Sequence, residues 1–191
     1  DISTLVQNGH YEDAAARAEE ILDEHIYDIR IIGYFLYGHF IDQGVLALGD
    51  VYRCLAGLLR DNLEALGPVK NRKKHIQNIL NWFMKQTIKI LQYEETNKEG
   101  LYRIWVEGIS SDEVQGVLDA ADDLRRTLGP VLEDTAGPVL EGLVKINDWL
   151  VAFQRLVYRE AEPEPEDGAE SETAEEEAGA EAEALEEEGP V

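Results

Sequence analysis

Cysteine occurs once, as Cys54, in a chain of 191 residues. A single thiol can form neither an intramolecular disulfide nor a thiolate metal cluster, and such usage fits a reducing compartment. Histidine is scarce as well, at positions His10, His25, His39 and His75. No two of these stand at i, i+4, and there is no His-Glu-x-x-His run, so a helical metal site is not expected. Gly-x-Ser-x-Gly elbows and glycine-rich phosphate loops ending in Lys-Ser/Thr are also missing. Long hydrophobic runs are lacking. The most apolar stretch, 26–45, contains Asp28, Arg30, His39, Asp42 and Gln43. Burying so many polar groups in hydrocarbon would cost too much for direct membrane insertion. The chain opens at Asp1 without a secretory signal pattern, although processing would hide one. These absences lead to the expectation of a cytoplasmic, non-enzymatic protein with no cofactor and no metal.

Positive charge is the next shortage. The chain has 17 Lys and Arg against 40 Asp and Glu, a net charge of −23. The acidity is uneven: positions 160–191 hold 15 acids and no Lys or Arg, leaving 25 acids and all 17 bases in the first 159 residues. A polyanion repels phosphate backbones and anionic lipid surfaces, which disfavours nucleic acid and membranes as partners. The segment 160–191 has only Leu185 and Val191 as aliphatics larger than alanine. It cannot bury enough surface to fold, so an acidic, disordered C-terminal tail is expected.

What is present is helical periodicity. Outside the tail the prolines are Pro68, Pro130 and Pro138, each preceded by glycine, and each Gly-Pro pair is read as helix punctuation. After an Asn8-Gly9-His10 turn, a helix is predicted over 11–24 with Tyr11, Ala14, Ala15, Ala18, Ile21 and Leu22 on one face. Its alanines imply close approach of a neighbour. A helix over 28–43 is apolar nearly all round, as a central helix should be, and Gly44 is read as its left-handed cap. Further helices are predicted over 45–66 and 71–93. Positions 94–100 are read as a polar linker, and 101–109 as helix or irregular structure, since a lone strand would have no partner. Ser110 and Glu113 match a capping box opening the next helix. The last helix, 138–159, repeats Val139, Leu143, Ile146, Leu150, Phe153 and Val157 at steps of four and three. That seam suits either an ordinary core stripe or self-association as a homo-oligomer.

Few polar features are left to carry chemistry. His39 reads as a core histidine and Cys54 as a small buried hydrophobe. The carboxylate pairs Glu19-Glu20, Glu94-Glu95 and Asp122-Asp123 fall on surface faces or the linker, and a catalytic pair needs burial to separate its pKa values. Lys70, Arg72, Lys73 and Lys74 form a basic patch at a helix N-terminus, where cations oppose the macrodipole. The patch is either a solvated charge run, free or meeting the acidic tail, or the partner-binding site.

The run Leu5-x-x-x-Gly9-x-Tyr11-x-x-Ala14-Ala15-x-x-Ala18-x-x-Ile21-Leu22 is similar to tetratricopeptide-type hairpins. Followed by Asp28-Ile29-Arg30-Ile31-Ile32-x-Tyr34 and Gly44-x-x-x-Leu48, it resembles the ImpA N-terminal domain family, the opening domain of the TssA-like proteins of bacterial type VI secretion systems. Asp28 and Arg30 match an x-D-x-R start of the second helix, and Arg72 with Trp82 matches an Arg and Trp on a later long helix. The resemblance covers residues 5–93. Departures are the absence of a Tyr-Trp-type pair before Pro68, where Asn62-Leu63 stands, a connecting loop shortened to 67–71, and an acidic tail where the family continues into a ring-forming domain.

The fold class expected is all-α: an antiparallel helical bundle with a tetratricopeptide-like hairpin, in which 1–95 form the ImpA-like domain, 96–159 pack further helices on it and 160–191 form the tail. The resemblance implies a non-enzymatic adaptor of a type VI secretion apparatus that contacts baseplate, sheath or membrane-complex subunits. The rival expectation is a cytosolic binding chaperone or immunity-type protein whose acidic tail neutralises a basic client.

Overall fold

The alternation of buried stripes with short polar breaks yields helices throughout. The computed structural model describes residues 1–158; the expected tail and the last expected helical residue, Arg159, lie outside them. Among the described residues the α-helices are α1 (Ile2–Gln7), α2 (Tyr11–Asp23), α3 (Ile29–Gln43), α4 (Ala47–Asp61), α5 (Arg72–Asn97), α6 (Leu101–Gly108), α7 (Ser111–Leu132) and α8 (Gly137–Val157). There is no strand among them, only an isolated bridge between Asp28 and Gly67. No described helix is long and apolar enough to cross a membrane.

Packing closes a circuit. α3 lies against α5, α5 against α8, α8 against α7, α7 against α4, and α4 returns to α3; α2 flanks α3 from outside. One continuous apolar core runs from Ile29 to Val157, with a small satellite of Ile2, Ala14 and Ala18 under α1 and α2. The α8 seam faces this core: Val139, Leu143, Ile146, Leu150, Phe153 and Val157 are all buried. It is a core stripe.

Close helix crossings depend on small residues. A Cβ on Gly38 of α3 would stand 2.2 Å from the Cβ of Ala15 on α2, and one on Gly33 would stand 2.3 Å from Cγ1 of Ile79 on α5. The alanine face of α2 therefore does bring its neighbour close, as expected.

Several boundaries differ from those the sequence implies. α4 stops at Asp61, and a 3-10 turn, Leu63–Ala65, follows it. The Arg72 side chain takes the backbone carbonyls of Glu64 and Leu66, at 3.0 and 2.8 Å, so they are bonded outside any helix. Gly44 has φ +85 and ψ −167, a conformation suited to glycine but beyond the left-handed helical well assumed for its cap. Gly129-Pro130 is not punctuation. Pro130 sits inside the last turn of α7, which continues because Leu128 and Leu132, one turn apart, are both fully buried. The expected linker at 94–100 is helical as far as Asn97, so α5 runs straight through position 95. There the Glu95 carboxylate accepts a hydrogen bond from Nε1 of Trp149 at 2.9 Å.

Candidate interaction surface

The basic patch lies where three chain segments meet. Asp28 caps α3: its Oδ1 accepts from the backbone N of Arg30 at 2.9 Å, and the Arg30 guanidinium folds back onto the same carboxylate. Burial alone would raise the Asp28 pKa, but the side-chain and backbone hydrogen bonds from Arg30 hold it below the usual aspartate value. Beside it, Ile29 N donates to Gly67 O at 2.9 Å and Gly67 N to Tyr27 O at 2.8 Å, tying the Gly67–Pro68 loop, with its cis peptide, to the start of α3.

Arg72 enters this joint from the other side. Its side chain is mostly buried and bonds Leu66 O, Glu64 O and the Glu64 carboxylate, the last at 2.9 Å. Lys73 reaches Glu133 Oε2 at 2.6 Å, just after α7. That hydrogen bond raises the lysine pKa and lowers that of the carboxylate. Of the four cations expected to form one docking patch, two are thus committed to the fold itself. Lys70 and Lys74 stay exposed. The residues that carry the family resemblance have structural roles here: Asp28 and Arg30 start α3, Arg72 clamps the loop, and Trp82 packs edge-on against Tyr34 and Tyr37, at ring-centroid distances of 5.3 and 5.0 Å.

Two sequence expectations are corrected. Cys54 is exposed, because Val51, Tyr52, Leu55, Ala56 and Leu59 fill the inward arc of α4 and leave position 54 outside it. Even so, partial burial of the sulfur pushes its pKa up, which disfavours the nucleophilic thiolate. His39 is half-exposed, with Nε2 4.0 Å from Asp50 Oδ2, and is not a core residue. No group of His, Cys, Asp or Glu among the described residues is arranged to hold a metal ion.

One surface was not read from the sequence. α6 presents Tyr102, Trp105 and Val106 to the core but leaves Leu101 and Ile104 on its other edge, with Ile104 64 % exposed. These two face Ile41 in the last turn of α3, and Val45 and Leu46 of the α3–α4 turn, across an open, mostly apolar groove of about 320 Å³. The available signal was the i, i+3 spacing of Leu101 and Ile104, offset from the buried Trp105. It became readable only once 101–108 was known to be a helix, since a strand would place those residues on opposite faces.

No protein-family model, no curated protein and no solved structure matches this chain. The likeness to the ImpA N-terminal domain family rests on the residues quoted for it.

Proposed function

We propose that this protein is a non-enzymatic helical adaptor, a component of a type VI secretion apparatus that binds baseplate, sheath or membrane-complex subunits through its helical surface. The observation that carries the binding role is the α6 edge: Leu101 and Ile104 stay exposed beside an apolar groove that has Asp42 as its only ionisable lining residue. Apolar side chains held on a helix beside a groove suit a protein partner, and a lone carboxylate does not make a catalytic pair. The secretion assignment comes from the family resemblance alone.

The test is affinity capture from source cells with the full chain and with Ile104→Glu. The wild-type chain is expected to recover secretion baseplate, sheath or membrane-complex subunits, and the variant to lose them while keeping its helical circular dichroism. Recovery of a single basic client and no secretion subunit would favour the chaperone reading. Undiminished capture by the variant would remove the groove from the binding role.

A further inference from the structure

From Ala65 to Tyr93 the chain has no Asp or Glu, yet six of its 17 Lys and Arg lie there. In a protein with 40 acids this is an unusual interval, and α5 gives it a geometry. Lys74, Asn78, Lys85, Lys89 and Gln92 recur at helical spacing, all exposed, opposite the buried stripe that includes Ile76, Leu80, Phe83, Thr87 and Leu91. Lys70 precedes the same ridge in the loop. From Lys74 to Lys89 the ridge is about 22 Å long, the span of roughly seven extended residues.

The lysines of this ridge differ from the arginines of the other helices. Arg17 pairs with Glu20, Arg53 with Asp50, Arg103 with Glu107, and both Arg125 and Arg126 with Asp122, each within one turn. Lys70, Lys74, Lys85 and Lys89 have no ion pair among the described residues. Lys85 and Lys89 are one turn apart, a spacing at which like charges weaken a helix. A face kept only for solubility in this protein would mix both signs, as the other helices do.

We infer that the α5 ridge is a docking surface for an acidic polypeptide segment of a partner protein. Charge complementarity selects that occupant. The free cations of the ridge are all lysines, point charges suited to a row of carboxylates, whereas the arginines of α2, α4, α6 and α7, whose forked groups bind phosphate bidentately, are engaged in ion pairs. Between Lys74 and Lys89 no exposed aromatic side chain interrupts the ridge to stack on bases; the exposed Tyr93 lies one turn beyond Lys89. Asn78 and Gln92 add amide donors for carboxylate oxygens. The inference uses different residues from the α6 groove and does not rest on the secretion assignment.

The experiment is fluorescence anisotropy of a labelled glutamate-rich peptide of about twelve residues, titrated with the full chain at about 50 mM and then about 300 mM salt. Three proteins are compared: wild type, the ridge variant Lys74→Glu/Lys85→Glu/Lys89→Glu, and the charge-matched variant Lys98→Glu/Lys145→Glu/Arg155→Glu. Wild type is expected to bind at low salt and weaken steeply at high salt. The ridge variant should lose about tenfold or more in affinity and the charge-matched variant about threefold or less. A ridge variant with altered circular dichroism is replaced by Lys74→Gln/Lys85→Gln/Lys89→Gln, with the same loss expected. Absence of binding by wild type, equal losses in the two variants, or tighter binding of an oligothymidylate of similar length would each overturn the inference.

Discussion

Single residues in this protein take their roles from distant neighbours. Glu133 shows this most clearly. It holds Lys73, 60 positions away, while its own backbone sits at φ +51 and ψ −122, a conformation that a residue with a Cβ rarely adopts. The two effects oppose each other and can be separated. Glu133→Ala keeps the backbone strain and removes the exposed ion pair, whereas Glu133→Gly removes both. Glu133→Gly is therefore expected to be more stable than Glu133→Ala by about 1–3 kcal/mol in denaturant unfolding. Equal stabilities would mean that the strain is absent. Arg72, Lys73, Cys54 and His39 were all legible as residues of interest, but their roles were not. A one-dimensional pattern gives the face of its own helix and nothing of what stands opposite.

Elements were more legible. The stripes of α2, α3, α5 and α8 follow from helical spacing, and the Ser110–Glu113 capping box is formed: Ser110 Oγ accepts from Glu113 N at 3.2 Å while Glu113 Oε2 accepts from Ser110 N at 2.8 Å. Helix ends were less so. The end of α4 is set by Arg72, and the extent of α7 by the burial of Leu132, both of which lie in packing. At the start of α3, Asp28 yields a prediction with a pH sign. Its folded-state pKa is depressed, so its stabilisation is present above about pH 4, the unfolded aspartate range, and is lost as pH falls through the lower folded value. Asp28→Ala should cost about 1 kcal/mol at neutral pH. The gap between wild type and variant should narrow when unfolding is repeated well below pH 4. A gap that stays constant would show that the charge on Asp28 does not contribute.

At the scale of the molecule, the closed circuit α3–α5–α8–α7–α4 gives these helices one shared core. Trp82 reports on the α3–α5 side, and Trp105 and Trp149 report on the α6–α8 side. Because α5 passes unbroken through position 95, the regions 1–95 and 96–158 are expected to unfold together. Tryptophan fluorescence and far-ultraviolet circular dichroism should give coincident thermal transitions. Leu124→Ala, in the α7 face buried against α4, should destabilise by about 2–5 kcal/mol and move both transitions equally. Separate transitions would restore a domain boundary near position 95.

The all-helical class, the stripe of each long helix and the acid-free interval around α5 were determined by the sequence alone, because spacing and charge order are properties of the chain and helices form from local periodicity. Which cations remain free, why Cys54 faces outward, where α4 stops and how α6 borders a groove were decided only by tertiary structure. Each depends on a partner brought near by packing: Glu64 and Glu133 for the cations, α7 for the face of α4, Leu66 for the helix end, and the α3–α4 turn for the groove.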